Sequence, residues 1–483
     1  MTPPHSASAL PTVRPGLWAG GLVYAATLVV AVGLFLLVWR AGSTLAPNAP
    51  LAASAPAASG GAPPVDVVLH VLATLAAVIA LGAVLARVCR WVGQPPVIGE
   101  VIAGIVLGPS VLGAVSPAAM HLLIPPVAAD PNGQVPAALK GISQIGVVLY
   151  MFLVGLELNA ARLKAQVGAA VAVSHASIVV PFVLGSALAL PLYSTFAPAG
   201  TPFLSFALFL GVAMSVTAFP VLARILTDRR MERTELGVIA LGCAAADDVT
   251  AWCLLALIVG VARAEPSRVA GVLAGAAAFV AVMLAVVRPL AARVSRWCDA
   301  HTGPLPPLVT AGTFLAVLGS ALATEAIGIH ALFGAFLLGA VMPHDGRLAR
   351  EFAAKLKDPV TVLLLPAFFA YTGMRTHIGL VSTLGDWAWC GLIVLVATAG
   401  KFGGTVAAAR LTGRSWRDAA ALGALMNTRG LMELIVLNIG LDLGVISPPL
   451  FAMLVIMALV TTAATSPAVA LLLRRRPEAP AEG

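Results

Sequence analysis

The sequence predicts an all-α protein that crosses a membrane many times. Of its 483 residues, 60% are hydrophobic and only 10% are charged, whereas soluble globular proteins carry about 25% charged residues. Apolar runs of the length of membrane helices recur from Leu17 to Leu473. The alternating polarity of a transmembrane barrel is missing from the sequence, and strands with open edges could not satisfy their backbone polar groups in lipid. Helices are therefore the expected spans.

Fourteen apolar segments are candidate spans, and several of them are short or interrupted by Gly and Pro. Their approximate ranges are 17–39, 67–87, 96–114, 137–157, 168–192, 203–226, 236–261, 268–292, 308–325, 328–343, 357–375, 384–410, 417–440 and 448–473. If the N-terminus is cytoplasmic, most of the 29 Lys and Arg residues fall on the cytoplasmic side, and the outer side holds Arg40, Lys140, Arg263, Arg268 and Arg375. A miscounted span would exchange the sides of every later loop, so this asymmetry predicts that both termini are cytoplasmic.

The chain divides into four predicted segments. Residues 1–40 form a cytoplasmic N-terminus and a helix resembling a signal anchor, and residues 41–66 form an Ala/Pro-rich external linker. Residues 67–474 form the transmembrane domain, and 475–483 form a short cytoplasmic tail. The net charge of +8 does not predict nucleic-acid binding, because the basic residues are dispersed in short loops. The five cysteines show neither disulfide nor metal-site spacing, and no cofactor is expected.

Two sequence echoes suggest an internal repeat. Residues 102–109 in the third span resemble 333–339 in the tenth, and 151–155 in the fourth resemble 368–373 in the eleventh. Each pair is seven spans apart, and an odd offset reverses the orientation in the membrane, so the repeats would be inverted. Spans 2–7 would match spans 9–14, with span 8 as a linker. The alternative is chance, since patterns of small residues and Leu recur in many membrane proteins.

The strongest candidate site is the pair Asp247 and Asp248, near the middle of the seventh span. One ionised side chain at the centre of a bilayer costs about 2.5–3.5 kcal/mol even on the lenient scale. Consecutive helical residues point about 100° apart, so one carboxylate can face an ion site while the other faces a partner. Lys401 lies inside the twelfth span and is the obvious partner, although a lysine closer to a helix end would snorkel to the interface.

Two interrupted helices are expected to accompany these charges. The sixth span contains Ser215, Thr217 and Pro220. The proline removes a backbone donor, so freed carbonyls and the Thr217 hydroxyl could coordinate a small cation. The alternative is a simple proline kink. The matching interruption is in span 13, at Asn427, Thr428, Arg429 and Glu433.

Arg429 and Glu433 are spaced i,i+4 and are expected to pair with each other. Other polar residues in or near the spans are weaker candidates for function, namely Glu100, Glu157, His175 and Glu325.

At these residues the chain resembles the monovalent cation:proton antiporter family 2, within the sodium/proton exchanger superfamily. The similarity covers about residues 67–473, and it rests on the motifs at 94–100, 152–157, 217–220, 246–252 and 427–433. The last motif is especially similar to the branch with plant and fungal cation/H⁺ exchangers.

The resemblance implies a thirteen-helix fold with a dimerisation domain and a mobile core domain, preceded here by one extra helix. It also implies that Asp248 binds the cation or proton, and that Asp247 pairs with Lys401. The crossed broken helices would be spans 6 and 13. The expected activity is exchange of Na⁺ or K⁺ for H⁺ by a homodimer in the plasma membrane. The sequence offers two rivals, neither supported by a motif: a channel, which needs a pore ring, and an intramembrane aspartyl protease, which needs aspartates from different helices.

Overall fold

The computed structural model describes residues 17–47, 65–157, 167–231, 234–262, 266–301 and 303–473. These residues form an all-helical bundle. The first half contains α1 (Leu17–Gly42), α2 (Val67–Trp91), α3 (Pro96–Leu107), α4 (Leu112–Val115), α5 (Pro117–Leu123), α6 (Gln134–Glu157), α7 (Val167–Phe196), α8 (Phe203–Ser215), α9 (Phe219–Asp228) and α10 (Glu235–Ala262).

The second half begins with α11 (Pro266–Val282), which continues through a π-helical turn (Met283–Val287) into α12 (Arg288–Ala300). It goes on with α13 (Pro307–Ile327), α14 (Ala331–Val341), α15 (Arg347–Asp358), a second π-helical turn (Pro359–Leu364), α16 (Leu365–Met374), a 3₁₀ turn (Ile378–Leu380), α17 (Leu384–Leu411), α18 (Trp416–Met426), α19 (Leu431–Asp442) and α20 (Pro448–Leu473).

A helix or an interrupted helix lies in each of the fourteen predicted ranges. Within the described residues, eight helices are long and apolar enough to cross a membrane, and the bent pair α18–α19 makes a ninth. Others are shorter, such as α14 with 11 residues. A rise of about 1.5 Å per residue makes such a helix shorter than the hydrocarbon core. The number of spans therefore stays a prediction. Most of the 41–66 linker and the 475–483 tail lie outside the described residues.

The helices pack as two groups, which we name after their central members. The α6 group contains α2, α3, α6, α13, α14 and α16, and the α7 group contains α7–α10 and α17–α20, with α1 packed against α7. Contacts within each group are extensive. Between the groups, α16 touches α19 and α3 touches α20 only over short stretches. The architecture therefore brings two bodies together along a narrow boundary.

Glycines allow two close helix crossings inside the α6 group. A methyl group on Gly104 of α3 would lie 2.2 Å from the Ala370 carbonyl oxygen of α16, and one on Gly155 of α6 would lie 2.2 Å from the Phe336 carbonyl oxygen of α14. Side chains larger than hydrogen would separate these backbones. All these residues belong to the segments whose sequences echo each other.

Candidate functional site

Two interrupted helices cross within the α7 group, as the positions of Pro220 and Arg429 in the sequence predict. The first break lies between α8 and α9, and the second between α18 and α19, which are bent by 44°. The breaks are joined directly, because the Ala218 amide donates to the Thr428 carbonyl (3.1 Å) and the Thr217 hydroxyl lies 3.3 Å from the Met426 carbonyl oxygen. Backbone groups released by each helix are thus satisfied partly by the other.

Pro220 occupies the second position of α9, after a non-helical segment at residues 216–218. The first turn of a helix tolerates proline, because the amides there have no intrahelical acceptor. The helix is therefore fully interrupted before Pro220, which is a larger disruption than the kink that proline alone would explain. The side chain of Thr217 is completely buried at this break.

Asp247 is the most heavily hydrogen-bonded carboxylate of the site. Its Oδ1 accepts a bond from Ser174 (2.8 Å), and its Oδ2 accepts bonds from Ser177 (3.0 Å) and Thr217 (2.7 Å). The Lys401 ammonium lies 3.0 Å from Oδ2, and both charged side chains are fully buried. Three hydroxyl donors and one ammonium compensate the charge of this carboxylate, as a buried ion requires.

Lys401 connects α17 to both the aspartate helix α10 and the first break. Besides Asp247, its Nζ donates to the carbonyl of Ser215, the last residue of α8. A helix C-terminus carries a partial negative charge, which favours a cation at this point. The ammonium therefore neutralises one carboxylate and also holds the end of a broken helix.

Asp248 differs sharply from its neighbour. It is 1% exposed, and neither of its carboxylate oxygens makes a hydrogen bond of ordinary length and angle within the described part of the chain, although the Phe219 backbone amide at the start of α9 interacts with this carboxylate. The Asn427 side-chain oxygen, at the second break, is also buried without a partner there. Unpartnered buried oxygen atoms are unusual in folded proteins and need an explanation. Oxygen atoms of this kind are suited to a proton or a small monovalent cation.

Arg429 and Glu433 form the expected i,i+4 ion pair, with 2.7 Å between them and no exposed surface on either side chain. The guanidinium also donates to the Ala213 and Met214 carbonyls near the end of α8, at 2.8 and 2.7 Å. Its backbone amide donates to the Thr462 hydroxyl at 3.0 Å. Arg429 thus connects the second broken helix to the first, so the Arg429–Glu433 pair has a structural role next to the aspartates.

Ser174 and Ser177 are site residues that sequence reasoning missed. They lie three residues apart on α7, so they share one face of the helix, and both are buried. Two polar side chains three residues apart in an apolar span are a usable signal of such a face, whereas the sequence prediction named His175, which lies between them. His175 is only partly buried.

Besides His175, two of the weaker candidates have observed positions, whereas the side chain of Glu157 is not among those described. Glu325 accepts a bond from the Ala331 amide at 2.9 Å and so caps α14. Glu100 lines a cavity of about 510 Å³ between the two helix groups. Arg90, Arg224 and Lys357, which the charge asymmetry places on the cytoplasmic side, line the same cavity. The boundary between the groups is therefore open at this end.

In the described ranges, no three His, Cys, Asp or Glu side chains come together as a metal centre would require. A monovalent cation bound at Asp248 would be cargo, held by few ligands and released again.

Known proteins resemble this chain over most of its length. The model of the family described as "Sodium/hydrogen exchanger, transmembrane" matches residues 75–475. The Na(+)/H(+) antiporter NhaS4 of Synechocystis sp. is 44% identical over 408 residues, which are 84% of this chain and 97% of that protein. The K(+)/H(+) antiporter 1 of Saccharomyces cerevisiae is 34% identical over 77% of this chain and 42% of its own length. Cation/H(+) antiporter 19 of Arabidopsis thaliana is 37% identical over 88% of this chain and 52% of its own length.

The fold is also that of a solved structure. The sodium proton antiporter MjNhaP1 from Methanocaldococcus jannaschii superposes with a TM-score of 0.61, covering 84% of this chain and 99% of that one, at 14% sequence identity. This structural similarity shows the fold, and the sequence matches show the family membership. The chain is a multi-pass membrane protein that belongs to the sodium/hydrogen exchanger family.

Proposed function

We propose that this protein is a secondary active transporter that exchanges a monovalent cation, Na⁺ or K⁺, for protons by alternating access. The observation that carries the proposal is the contrast between the two adjacent aspartates. Asp247 has three side-chain hydroxyl donors and an ammonium, whereas Asp248 is equally buried and has no side-chain donor within the described residues. The relatives named as Na⁺/H⁺ and K⁺/H⁺ antiporters support the same activity.

The exchange follows from competition for one carboxylate. A buried carboxylate with no partner is too costly to keep as a bare anion. Asp248 is therefore expected to carry a proton or a cation at any moment, and loading of one releases the other. Asp247 and Lys401 offset each other's charge, so they keep the surroundings of this exchange neutral.

We propose that the chain has the thirteen-helix inverted-repeat core, preceded by an extra helix that includes residues 17–40. Two observations support it. Each helix group contains three spans from each predicted repeat. The two glycine crossings are also equivalent, since α3 of the first repeat packs on α16 of the second, and α6 packs on α14 in the same way.

The remaining proposals concern the cell and the assembly. We propose a homodimer in the plasma membrane, with both termini cytoplasmic and the 41–66 linker outside. The charge asymmetry of the loops supports the orientation. We also propose the boundaries 67–474 for the transmembrane domain and 475–483 for the tail, and the family match at 75–475 is consistent with these.

The two alternative activities, a cation channel and an intramembrane aspartyl protease, lack support from the relatives, which are named as antiporters. An aspartyl protease needs two aspartates that share a proton across a cleft. Here both oxygens of Asp247 already accept hydrogen bonds from Lys401 or from serine and threonine hydroxyls, so this carboxylate is not positioned to share a proton with Asp248.

Purified protein in vesicles tests the proposal. An outward Na⁺ or K⁺ gradient should drive proton uptake, and an inward proton gradient should drive cation loss. Asp248→Asn should abolish both fluxes without loss of the folded protein, because an amide cannot carry the proton. Asp345→Asn, at an exposed loop carboxylate, is the matched control and should exchange normally. Coupled exchange at the normal rate by Asp248→Asn would exclude the carboxylate from the mechanism.

A further inference from the structure

A second cluster of charges lies at the boundary between the α6 group and the α7 group. Asp442, at the end of α19, receives one cation on each carboxylate oxygen. Lys140 of α6 lies 2.8 Å from its Oδ2, and Arg375, which follows α16, lies 2.8 Å from its Oδ1. One carboxylate of the α7 group therefore binds two cations of the α6 group.

Asn438 extends the cluster by one helical turn. Its side-chain oxygen accepts a bond from Arg375 at 3.0 Å, and its side-chain nitrogen donates to the Thr372 hydroxyl of α16 at 2.8 Å. Asn438 and Asp442 are spaced i,i+4, so they share one face of α19. Arg375 also lies over the Tyr371 ring, 5.6 Å from its centroid, which holds the guanidinium on the α6 side.

The place of the cluster is informative because the two groups touch little elsewhere. Direct packing of α16 on α19 is short, and these polar contacts add to it at one end of the boundary. The cavity of about 510 Å³ separates the same two groups at the end lined by Arg90, Arg224 and Lys357. Lys140 and Arg375 are among the few basic residues that the loop charges assign to the outer side. The boundary thus holds a large cavity at the predicted cytoplasmic end, where the Gln94 amide donates to the Ala463 carbonyl (3.1 Å), and a cluster of charged contacts at the predicted outer end.

We propose that Lys140, Arg375, Asn438 and Asp442 form an outer latch, which holds the outer entrance closed while the cytoplasmic entrance is open. Alternating access requires one helix group to move past the other, and contacts that bridge the two groups at one end must break when that end opens. The latch rests on the proposed antiport, and it assigns to these four side chains the control of which side the site faces.

The latch is built to open. The Asp442 and Arg375 side chains are 31% and 24% exposed, and that of Lys140 is 40% exposed, so water can replace each partner. Ion pairs with this much exposure are weak, and the two together are expected to contribute about 1 kcal/mol, which is a factor of about five in an equilibrium constant. Losing the shared carboxylate is therefore expected to shift the ratio of outward-open to inward-open protein by about fivefold. A stronger tie would trap one state.

The test measures access to a site under the latch. Val147 of α6 is 1% exposed and lines the small space closed by the cluster, together with Ile435 and Phe368. In a cysteine-free full-length chain in vesicles of outside-out orientation, Val147→Cys reports opening through its rate of reaction with a membrane-impermeant thiol reagent. The labelling rate can be measured without transport, so its outcome is separate from that of the antiport test.

Asp442→Asn should raise the labelling rate about fivefold, and Arg375→Gln, which removes one of its partners, should raise it as well. Asp442→Asn combined with Lys140→Gln should label no faster than Asp442→Asn alone, since the Lys140 ammonium acts through that carboxylate. Asp442→Glu, which keeps the charge, should stay close to the parent.

The control removes an ion pair that does not bridge the two groups. Arg414 and Glu235 are 2.7 Å apart and both belong to the α7 group, so Arg414→Gln should leave the labelling rate unchanged. An unchanged rate in both Asp442→Asn and Arg375→Gln would overturn the latch. Equal acceleration by Arg414→Gln would overturn it too, because the effect would then reflect general loosening of the fold.

Discussion

Removing Lys401 should destabilise the protein strongly, and removing Asp247 at the same time should restore much of the loss. The ammonium and carboxylate are 3.0 Å apart, and neither side chain has any exposed surface. Breaking such a buried pair from one side costs about 3–5 kcal/mol, because the other charge is left without compensation.

The structure also ranks the two single variants. In Lys401→Met, the Asp247 carboxylate keeps the hydroxyls of Ser174, Ser177 and Thr217, which places the loss near about 3 kcal/mol. In Asp247→Asn, the ammonium loses its carboxylate and keeps the Ser215 carbonyl as its acceptor within the described residues, which places the loss near about 5 kcal/mol.

The double variant buries neither charge and loses only hydrogen bonds, at roughly 1 kcal/mol each. The coupling energy between the two positions should therefore be about 3–5 kcal/mol.

A double-mutant cycle on the purified protein measures this coupling, with unfolding followed by denaturant titration in mixed micelles. Arg414→Gln and Glu235→Gln form the matched cycle, since that pair is of similar length but its side chains are 25% and 59% exposed. The control coupling should be about 0–1 kcal/mol. If the Lys401 and Asp247 losses simply add, to within about 0.5 kcal/mol, the two residues do not compensate each other in the folded protein.

Three further outcomes follow from the site and the orientation. Ser174→Ala combined with Ser177→Ala removes two donors from Asp247, so it should lower the free energy of unfolding by about 2–5 kcal/mol and slow exchange; normal stability and flux would show that the hydroxyls are incidental. Arg429→Gln leaves a buried carboxylate unpaired and frees two carbonyls of α8, so a loss of about 3–5 kcal/mol is expected in the same titration. A cysteine at Ser54 in a cysteine-free chain should react with an impermeant reagent in intact cells, and reaction only after permeabilisation would reverse the predicted topology.

Much of the site was predictable because buried charge is visible in a sequence. Asp247, Asp248 and Lys401 interrupt long apolar runs, and the free energy of placing ions in a membrane makes such residues conspicuous whatever the fold. The proline of one broken helix and the polar segment of the other were visible for a similar reason, since each conflicts with a continuous apolar helix. Pairing of Arg429 with Glu433 was predictable because i,i+4 residues meet on any helix.

The family resemblance implied different roles for the two aspartates, but the contacts that distinguish them followed only from tertiary structure. Adjacent residues on a helix have the same local sequence signal, so hydropathy and spacing alone do not predict which one Lys401 binds from 154 residues away. The serines of α7 look like ordinary packing residues until that helix is placed beside α10. In the same way, Lys140, Arg375 and Asp442 read as separate loop-end charges, and they form a cluster only because α6, α16 and α19 end near one another.

The sequence by itself thus determined that the chain lies in a membrane, where its helices fall and which charged residues stand among apolar ones, since hydropathy and the cost of desolvation act on local segments. The family resemblance implied that Asp247 pairs with Lys401, but only the tertiary structure showed the three hydroxyls and the ammonium that compensate Asp247. That arrangement depends on distances between side chains far apart in the sequence, and these are set by how the helices of the α7 group pack.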